Sequence, residues 1–163
     1  MRPLLLPLLL PMHLMAMLAL GLLIGQQGWS RPVAGVYVAA VLIGLGAIAL
    51  AYVPRFAEEG LLAATAVAGL LLAGARPWPA SAGMALAAAI GLSLALDSPP
   101  EAISLREANI TLTGTAAGAS IALWAVAEVS ARLVRPWQRL GARIIGSWIA
   151  ASAILVLALR LVR

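Results

Sequence analysis

The sequence contains no cysteine, no lysine and only one histidine. The absence of cysteine excludes disulfides, thiolate metal sites and cysteine nucleophiles. With a single imidazole and no thiol, most nucleophilic and metal-hydrolytic mechanisms lack the groups that they need. The sequence also has no glycine-rich phosphate loop and no nucleophile elbow. It therefore predicts a protein that is not an enzyme and that requires no cofactor.

Charge is also scarce. Only 10% of the residues are charged, 63% are hydrophobic, and the mean hydropathy is +1.03. A soluble domain needs more charge than this to cover its surface, so the composition predicts an integral membrane protein in contact with the lipid bilayer. All 11 basic residues are arginine, and the net charge is +5. We interpret this charge as membrane topology and lipid contact, and not as nucleic-acid binding.

Apolar segments alternate with short polar connections along the chain. Segments of this length and composition are typical of membrane-spanning helices. The pattern predicts an all-α, polytopic membrane helical bundle in which residues 1–163 form one transmembrane domain. About six transmembrane helices are expected, at residues 4–25, 33–53, 59–75, 80–96, 108–133 and 144–161. Small residues four apart, such as Gly21 and Gly25, predict close helix contacts, although a chain this rich in alanine and glycine also produces such pairs by chance.

The arginines bear on the orientation of the chain. With six spans, both termini lie on the same side of the membrane, and the two sides carry five and six arginines. The connection between the fifth and sixth spans holds four arginines, at Arg132, Arg135, Arg139 and Arg143, whereas five of the six acids lie on the terminal side. Because arginine-rich connections favour the cytoplasm, we predict that both termini are outside, although Arg2 argues for the opposite orientation.

The only histidine, His13, lies inside the first apolar span. A titratable side chain in such a span is a candidate functional residue. On a helix His13 and Met17 share one face, while Met12 and Met15 share a neighbouring face. Imidazole and thioether together ligate soft or borderline transition metals, so these four residues form a candidate metal site. The alternatives are that the methionines fill gaps in the packing and that the histidine bonds to a backbone carbonyl.

Three acids are candidates for a cation path. Asp97 and Glu101 lie in the loop after the fourth span, where two carboxylates could gather a cation at a pore mouth, although such loops are often only solvated. Pro99 and Pro100 make a helical pairing of the two acids unfavourable. Glu128 lies within an apolar sequence and could relay a proton or cation. Arg132 follows it at the spacing of a helical ion pair, which is the alternative interpretation.

The segment PLLLPMHLMAMLALGLLIGQQG resembles the first helix of the hydrogenase/urease accessory membrane proteins, the HupE/UreJ family. That family carries a His-Pro-x-x-Gly-x-Asp-His motif, on which Pro7 matches the proline and His13 the last histidine. Residues 14–22 and Gln26 continue the match, which extends more loosely over the whole chain. The resemblance implies a protein of the bacterial inner membrane that moves nickel or a related divalent metal for metalloenzyme maturation, with both termini periplasmic in the orientation predicted above.

Several positions depart from the family pattern. Leu6, Leu10 and Met12 replace the first histidine, the glycine and the aspartate of the motif. After the fourth span the family carries a histidine-rich segment, but the corresponding segment here, LALDSPPEA, contains no histidine. The histidine usual in the fifth span is also missing, near Trp124 and Ala125.

The resemblance thus predicts a metal permease-like protein whose transported ion is Ni(II) or Co(II). If the methionines supply soft thioether ligands, the transported ion could instead be Cu(I). We expect the site to lie near the outer end of the first span, on the same side of the membrane as the acids of the loop from Asp97 to Glu107. The alternative is a transport-inactive structural or accessory subunit of a larger membrane complex. Its expected partners are another membrane protein or a second copy of the chain.

Overall fold

The computed structural model describes residues 11–50, 56–74, 76–97 and 105–162, and every regular element in these segments is an α-helix. The six helices are α1 (Pro11–Gln27), α2 (Ser30–Ala49), α3 (Ala57–Gly74), α4 (Ala80–Leu96), α5 (Leu105–Ala131) and α6 (Pro136–Leu161). The predicted all-α bundle is confirmed. The part of the first predicted span that precedes Pro11 lies outside the described residues.

The last helix is longer than the predicted sixth span. It begins at Pro136 instead of Ile144, so most of the arginine-rich connection is helical. Proline is favourable at the first position of a helix because no intrahelical partner is needed there for an N–H group. The Gln138 Oε1 atom also accepts a hydrogen bond from the Arg135 backbone N–H at 3.1 Å, which satisfies a donor just before the helix.

Two of the described helices, α3 and α6, are long and apolar enough to cross a membrane. The 26 residues of α6 correspond to a length of about 39 Å, close to the full thickness of a bilayer with its headgroups. The apolar stretches of the other four helices are shorter, at Met12–Gln27, Pro32–Ile48, Ala80–Leu96 and Ala116–Ala131.

The first helix, α1, lies at the centre of the bundle and contacts all five other helices. Around it the most extensive pairings are α3 with α6, α2 with α4, and α1 with α5. The central position is compatible with the sequence of α1, which is apolar all round between Leu14 and Ile24. A helix of that kind is stable where other helices or lipid cover every face. The buried residues of this stretch are Ala16, Met17, Ala19, Leu20, Gly21, Leu22, Leu23 and Ile24.

The helices run alternately up and down, so each end of the bundle gathers particular residues. The His13 end contains the starts of α1, α3 and α5 and the last turns of α2, α4 and α6. The opposite end, the Gln27 end, contains the other termini. There the Gln27 side chain donates to the Arg76 carbonyl at 2.7 Å and accepts from the Trp78 backbone N–H at 3.4 Å, which ties the α3–α4 connection to α1.

Glycines allow the backbones to approach closely at the contacts of α1 and α3. A Cβ on Gly25 would lie 2.5 Å from the Ser130 Cβ and 2.7 Å from the Ala131 backbone nitrogen, on α5. A Cβ on Gly69 would lie 2.7 Å from the Gly146 carbonyl oxygen, on α6. Such close contacts give dispersion energy that replaces the hydrophobic driving force, which lipid does not supply. The close approach predicted at Gly25 is therefore present.

Gly25→Ala should destabilise the bundle by about 1–3 kcal/mol, because the added methyl group meets the backbone of α5, which cannot move aside easily. The measurement is thermal unfolding of the purified protein in detergent, followed by tryptophan fluorescence. Gly46→Ala is the matched control, since its added Cβ would contact no other helix of the described part of the chain within 4 Å. Equal unfolding temperatures for the two variants would contradict the α1–α5 packing.

Candidate functional site

The candidate site joins the first turn of α1 to the end of α4. The His13 Nε2 atom lies 2.9 Å from the Asp97 Oδ2 atom, although the two residues are 84 positions apart in sequence. The imidazole is completely buried, with 0% of its side chain exposed, whereas the Asp97 side chain is 22% exposed. The pair therefore leads from the surface of the bundle into its interior.

The ends of the helices position both side chains. Asp97 directly follows the last residue of α4, and its backbone N–H continues the helical pattern by donating to the Ser93 carbonyl at 2.9 Å. Ser93 in turn lies against the first turn of α3, where a Cβ on Gly60 would be 3.1 Å from its Oγ atom. Asp97 is thus fixed by the packing of α4 on α3 and projects from there to α1.

The hydrogen bond determines which nitrogen of His13 is available for chemistry. An ionised carboxylate only accepts hydrogen bonds, so the Nε2 atom carries the hydrogen. In the neutral ring the Nδ1 atom then holds a lone pair, and this buried atom has no hydrogen-bond partner within the described part of the chain. A carboxylate that accepts the N–H of one ring nitrogen and frees the other is the usual arrangement around metal-binding histidines.

The methionines of the predicted metal site lie on two faces of α1. Met12 and Met15 line an apolar cavity with Leu62 of α3 and Ser152 of α6. Met17 belongs instead to the hydrophobic core and is 2% exposed. The hydrogen-bond partner of His13 is the Asp97 carboxylate just after α4, so the structure pairs the imidazole with an oxygen ligand where the sequence suggested thioethers or a backbone carbonyl. Within the described segments, no three His, Cys, Asp or Glu side chains cluster as a metal site.

The other predicted cation-path residues are separate from this pair. Glu128 lies near the Gln27 end, where its Oε2 atom is 3.7 Å from the Arg132 Nη2 atom, with both side chains largely exposed. Such an exposed helical ion pair contributes little to stability. Glu101 lies outside the described residues.

A second charged group at the His13 end was not among the sequence-derived candidates. Glu58, in the first turn of α3, forms an ion pair with Arg160, in the last turn of α6. Each charge lies at the helix end that favours its sign. The next residue, Glu59, has a buried Oε2 atom with no hydrogen-bond partner in the described part of the structure. In the sequence, the sign of this charged group is the two adjacent acids, Glu58 and Glu59, at the start of an apolar span.

Comparison with known protein families gives a match over most of the chain. The family model described as HupE / UreJ protein matches residues 1–156. No curated protein and no solved structure matches the chain. The match covers nearly the whole sequence and agrees with the apolar helices. The family is one of metal accessory and transport proteins of the membrane and is not known as a family of enzymes. The chain therefore belongs to the HupE / UreJ family of membrane proteins.

Proposed function

We propose that the protein is a small multi-pass permease-like protein that moves a divalent metal ion of the nickel type across the bacterial inner membrane for metalloenzyme maturation. The observation that carries this proposal is the contact between buried His13 and partly exposed Asp97. In a family of metal accessory membrane proteins, an imidazole paired with a carboxylate is a chemically suitable place to bind the ion.

The pairing favours a borderline divalent ion over Cu(I). Carboxylates suit harder cations and imidazole suits Ni(II), Co(II) and Zn(II), whereas Cu(I) prefers thioether and thiolate. Of the methionines considered as soft ligands, Met12 and Met15 face the cavity toward α3 and α6, and that cavity does not include His13. The donor set at His13 therefore supports nickel or cobalt as the transported ion.

The difference in exposure between the two side chains suggests the order of contacts. A hydrated cation arriving at the His13 end meets Asp97 first, because this carboxylate is accessible to solvent. Its negative charge offsets part of the cost of removing water from the ion. The imidazole then supplies a nitrogen ligand deeper in the bundle, so the pair can pass a cation inward.

The charge distribution supports an orientation with the His13 end and both termini in the periplasm. Among the described side chains, the His13 end carries Glu58, Glu59 and Asp97 with Arg160, whereas the Gln27 end carries Arg76, Arg132, Arg135, Arg139 and Arg143 with Glu128. Over the whole sequence the two ends carry five and six arginines, so the argument rests on the arginine cluster of residues 132–143. An arginine-rich connection favours the cytoplasm. The acidic end would then face the compartment from which a metal cation enters.

Asp97→Asn should lower metal accumulation, because the amide keeps the shape of the carboxylate but loses its charge. Loss of such a partner typically weakens metal affinity about tenfold to a hundredfold. Cells expressing the parent protein should accumulate nickel or cobalt, measured by mass spectrometry at equal membrane abundance. Cells expressing Asp97→Asn or His13→Ala should return toward the level of cells without the protein.

Glu128→Gln is the matched control, because this carboxylate lies at the opposite end of the bundle and is 57% exposed. It should leave metal accumulation unchanged. If none of these proteins, including the parent, changes any metal, the permease function is wrong. The chain would then be better explained as a transport-inactive accessory subunit that acts through another membrane protein.

Substitution of the methionines separates the two kinds of metal. Met12→Leu and Met15→Leu keep the apolar volume and remove the thioethers, so they should leave nickel or cobalt accumulation unchanged. The measurement is cellular nickel, cobalt and copper content. A protein that raises copper, and loses this effect with either leucine variant, would show that the thioethers and not the His13–Asp97 pair bind the ion.

A further inference from the structure

Three neighbouring cavities follow one face of α6 where it packs near α1 and α3. The first, of about 430 Å³, is lined by Glu59, Val156, Leu159 and Arg160. It shares Val156 with a second cavity of about 240 Å³, whose walls include Met12 and Met15. The second shares Met15 and Ser152 with a third cavity, of about 330 Å³, beside Trp148. Because neighbouring cavities share lining residues, the three lie next to one another along α6, and we call them together the α6 groove.

The α6 groove has the length and the chemistry of a binding site for an acyl chain. From Trp148 to Arg160 it follows α6 for roughly 18 Å, close to the thickness of one leaflet of hydrocarbon, about 15 Å. We call the end of the groove lined by Glu59 and Arg160 its mouth. The rest of the lining is apolar except for the hydroxyls of Thr65 and Ser152, and the Thr65 Oγ1 already donates to the Leu61 carbonyl at 2.6 Å. An apolar groove of this kind offers little to a polar solute.

The mouth of the groove carries charges of both signs. Glu59 and Arg160 line the same cavity at the His13 end, at the level where the helices α3 and α6 terminate. Arg160 is 46% exposed and contacts Glu58 through its Nη2 atom, and a guanidinium has further N–H donors. The Glu59 Oε2 atom is buried and has no hydrogen-bond partner in the described part of the chain. The mouth therefore presents an unsatisfied acceptor beside a cationic donor.

We propose that the α6 groove binds one phospholipid with a primary-amine headgroup, phosphatidylethanolamine, with an acyl chain along α6. Its ammonium group donates hydrogen bonds to the Glu59 carboxylate, and its phosphate accepts them from the Arg160 guanidinium. This occupant satisfies the orphaned Glu59 oxygen and complements both charges, while its chain covers the exposed apolar wall that includes Trp148.

Other lipids fit the mouth less well. Glu58, Glu59 and Arg160 together carry one more negative than positive charge when ionised, which disfavours an anionic headgroup such as phosphatidylglycerol. A quaternary choline group has no N–H to donate to Glu59, so phosphatidylcholine leaves the carboxylate unsatisfied. The ethanolamine headgroup has both the N–H donors and the phosphate.

Native mass spectrometry of the full-length protein in detergent tests the proposal, with titration of phosphatidylethanolamine, phosphatidylcholine and phosphatidylglycerol of identical acyl chains. One phosphatidylethanolamine should bind about tenfold more tightly than either of the others, the effect of one charge-assisted hydrogen bond. Glu59→Gln should reduce this preference to near unity. Ser152→Phe, which fills the groove, should weaken binding of all three lipids, and Glu128→Gln should change none of them.

The comparison of headgroups on the unsubstituted protein keeps the test valid if a variant fails to fold. Equal affinity for the three lipids would overturn the proposal, since it would indicate only the ordinary lipid surrounding a membrane protein. A dimer that binds no lipid and dissociates with Ser152→Phe would also overturn it, because a second copy would then occupy the groove. Binding of Ni(II) or Mg(II) at Glu59 with no lipid preference would assign the mouth to a cation instead.

Discussion

The burial of His13 on the central helix is the constraint on which the arrangement of the site depends. An imidazole removed from water is costly unless it is hydrogen-bonded, and the apolar side chains around it on α1 offer no such partner. Asp97 supplies the partner from the end of α4. The hydrogen bond therefore requires the start of α1 and the end of α4 to lie at the same level, which fixes the relative heights of the two helices.

Close packing of small residues makes this central position of α1 possible. Five neighbours fit around one helix only where backbones approach closely, as they do at Gly25 against α5. A buried hydrogen bond contributes to the same contact, since the Ser130 Oγ donates to the Leu22 carbonyl at 2.8 Å. Dispersion and interhelical hydrogen bonds thus stabilise the helix contacts, as hydrophobic burial does in a soluble bundle.

The bundle is polarised along its length. The His13 end combines the His13–Asp97 pair with the Glu58–Arg160 ion pair and the mouth of the α6 groove. The Gln27 end contains the arginine cluster between α5 and α6, and the contacts of Gln27 with the α3–α4 connection close it. A cation and a lipid headgroup would therefore approach the same end, on different faces of α1, without competing for the same side chains.

Composition and periodicity determined the class of the protein, because a chain with so few charges can cover its surface only with lipid. They also predicted six helices, whose described ends lie within a few residues of the predicted bounds except at the start of α6, where Pro136 and Gln138 initiate the helix inside an arginine-rich segment. The start of the first predicted span lies outside the described residues. His13 was identified because a titratable residue in an apolar span is unusual. The alternation of spans placed Asp97 at the same end.

Only the tertiary structure decided which side chains meet. The pairing of His13 with Asp97 spans 84 residues, and helical spacing describes neighbours on one helix but not the rotation of one helix against another. For the same reason the sequence grouped His13 with the methionines, whereas the packing of α1 turns Met12 and Met15 toward α3 and α6. The Glu58–Arg160 pair and the groove beside it likewise exist only once α3 and α6 are packed together.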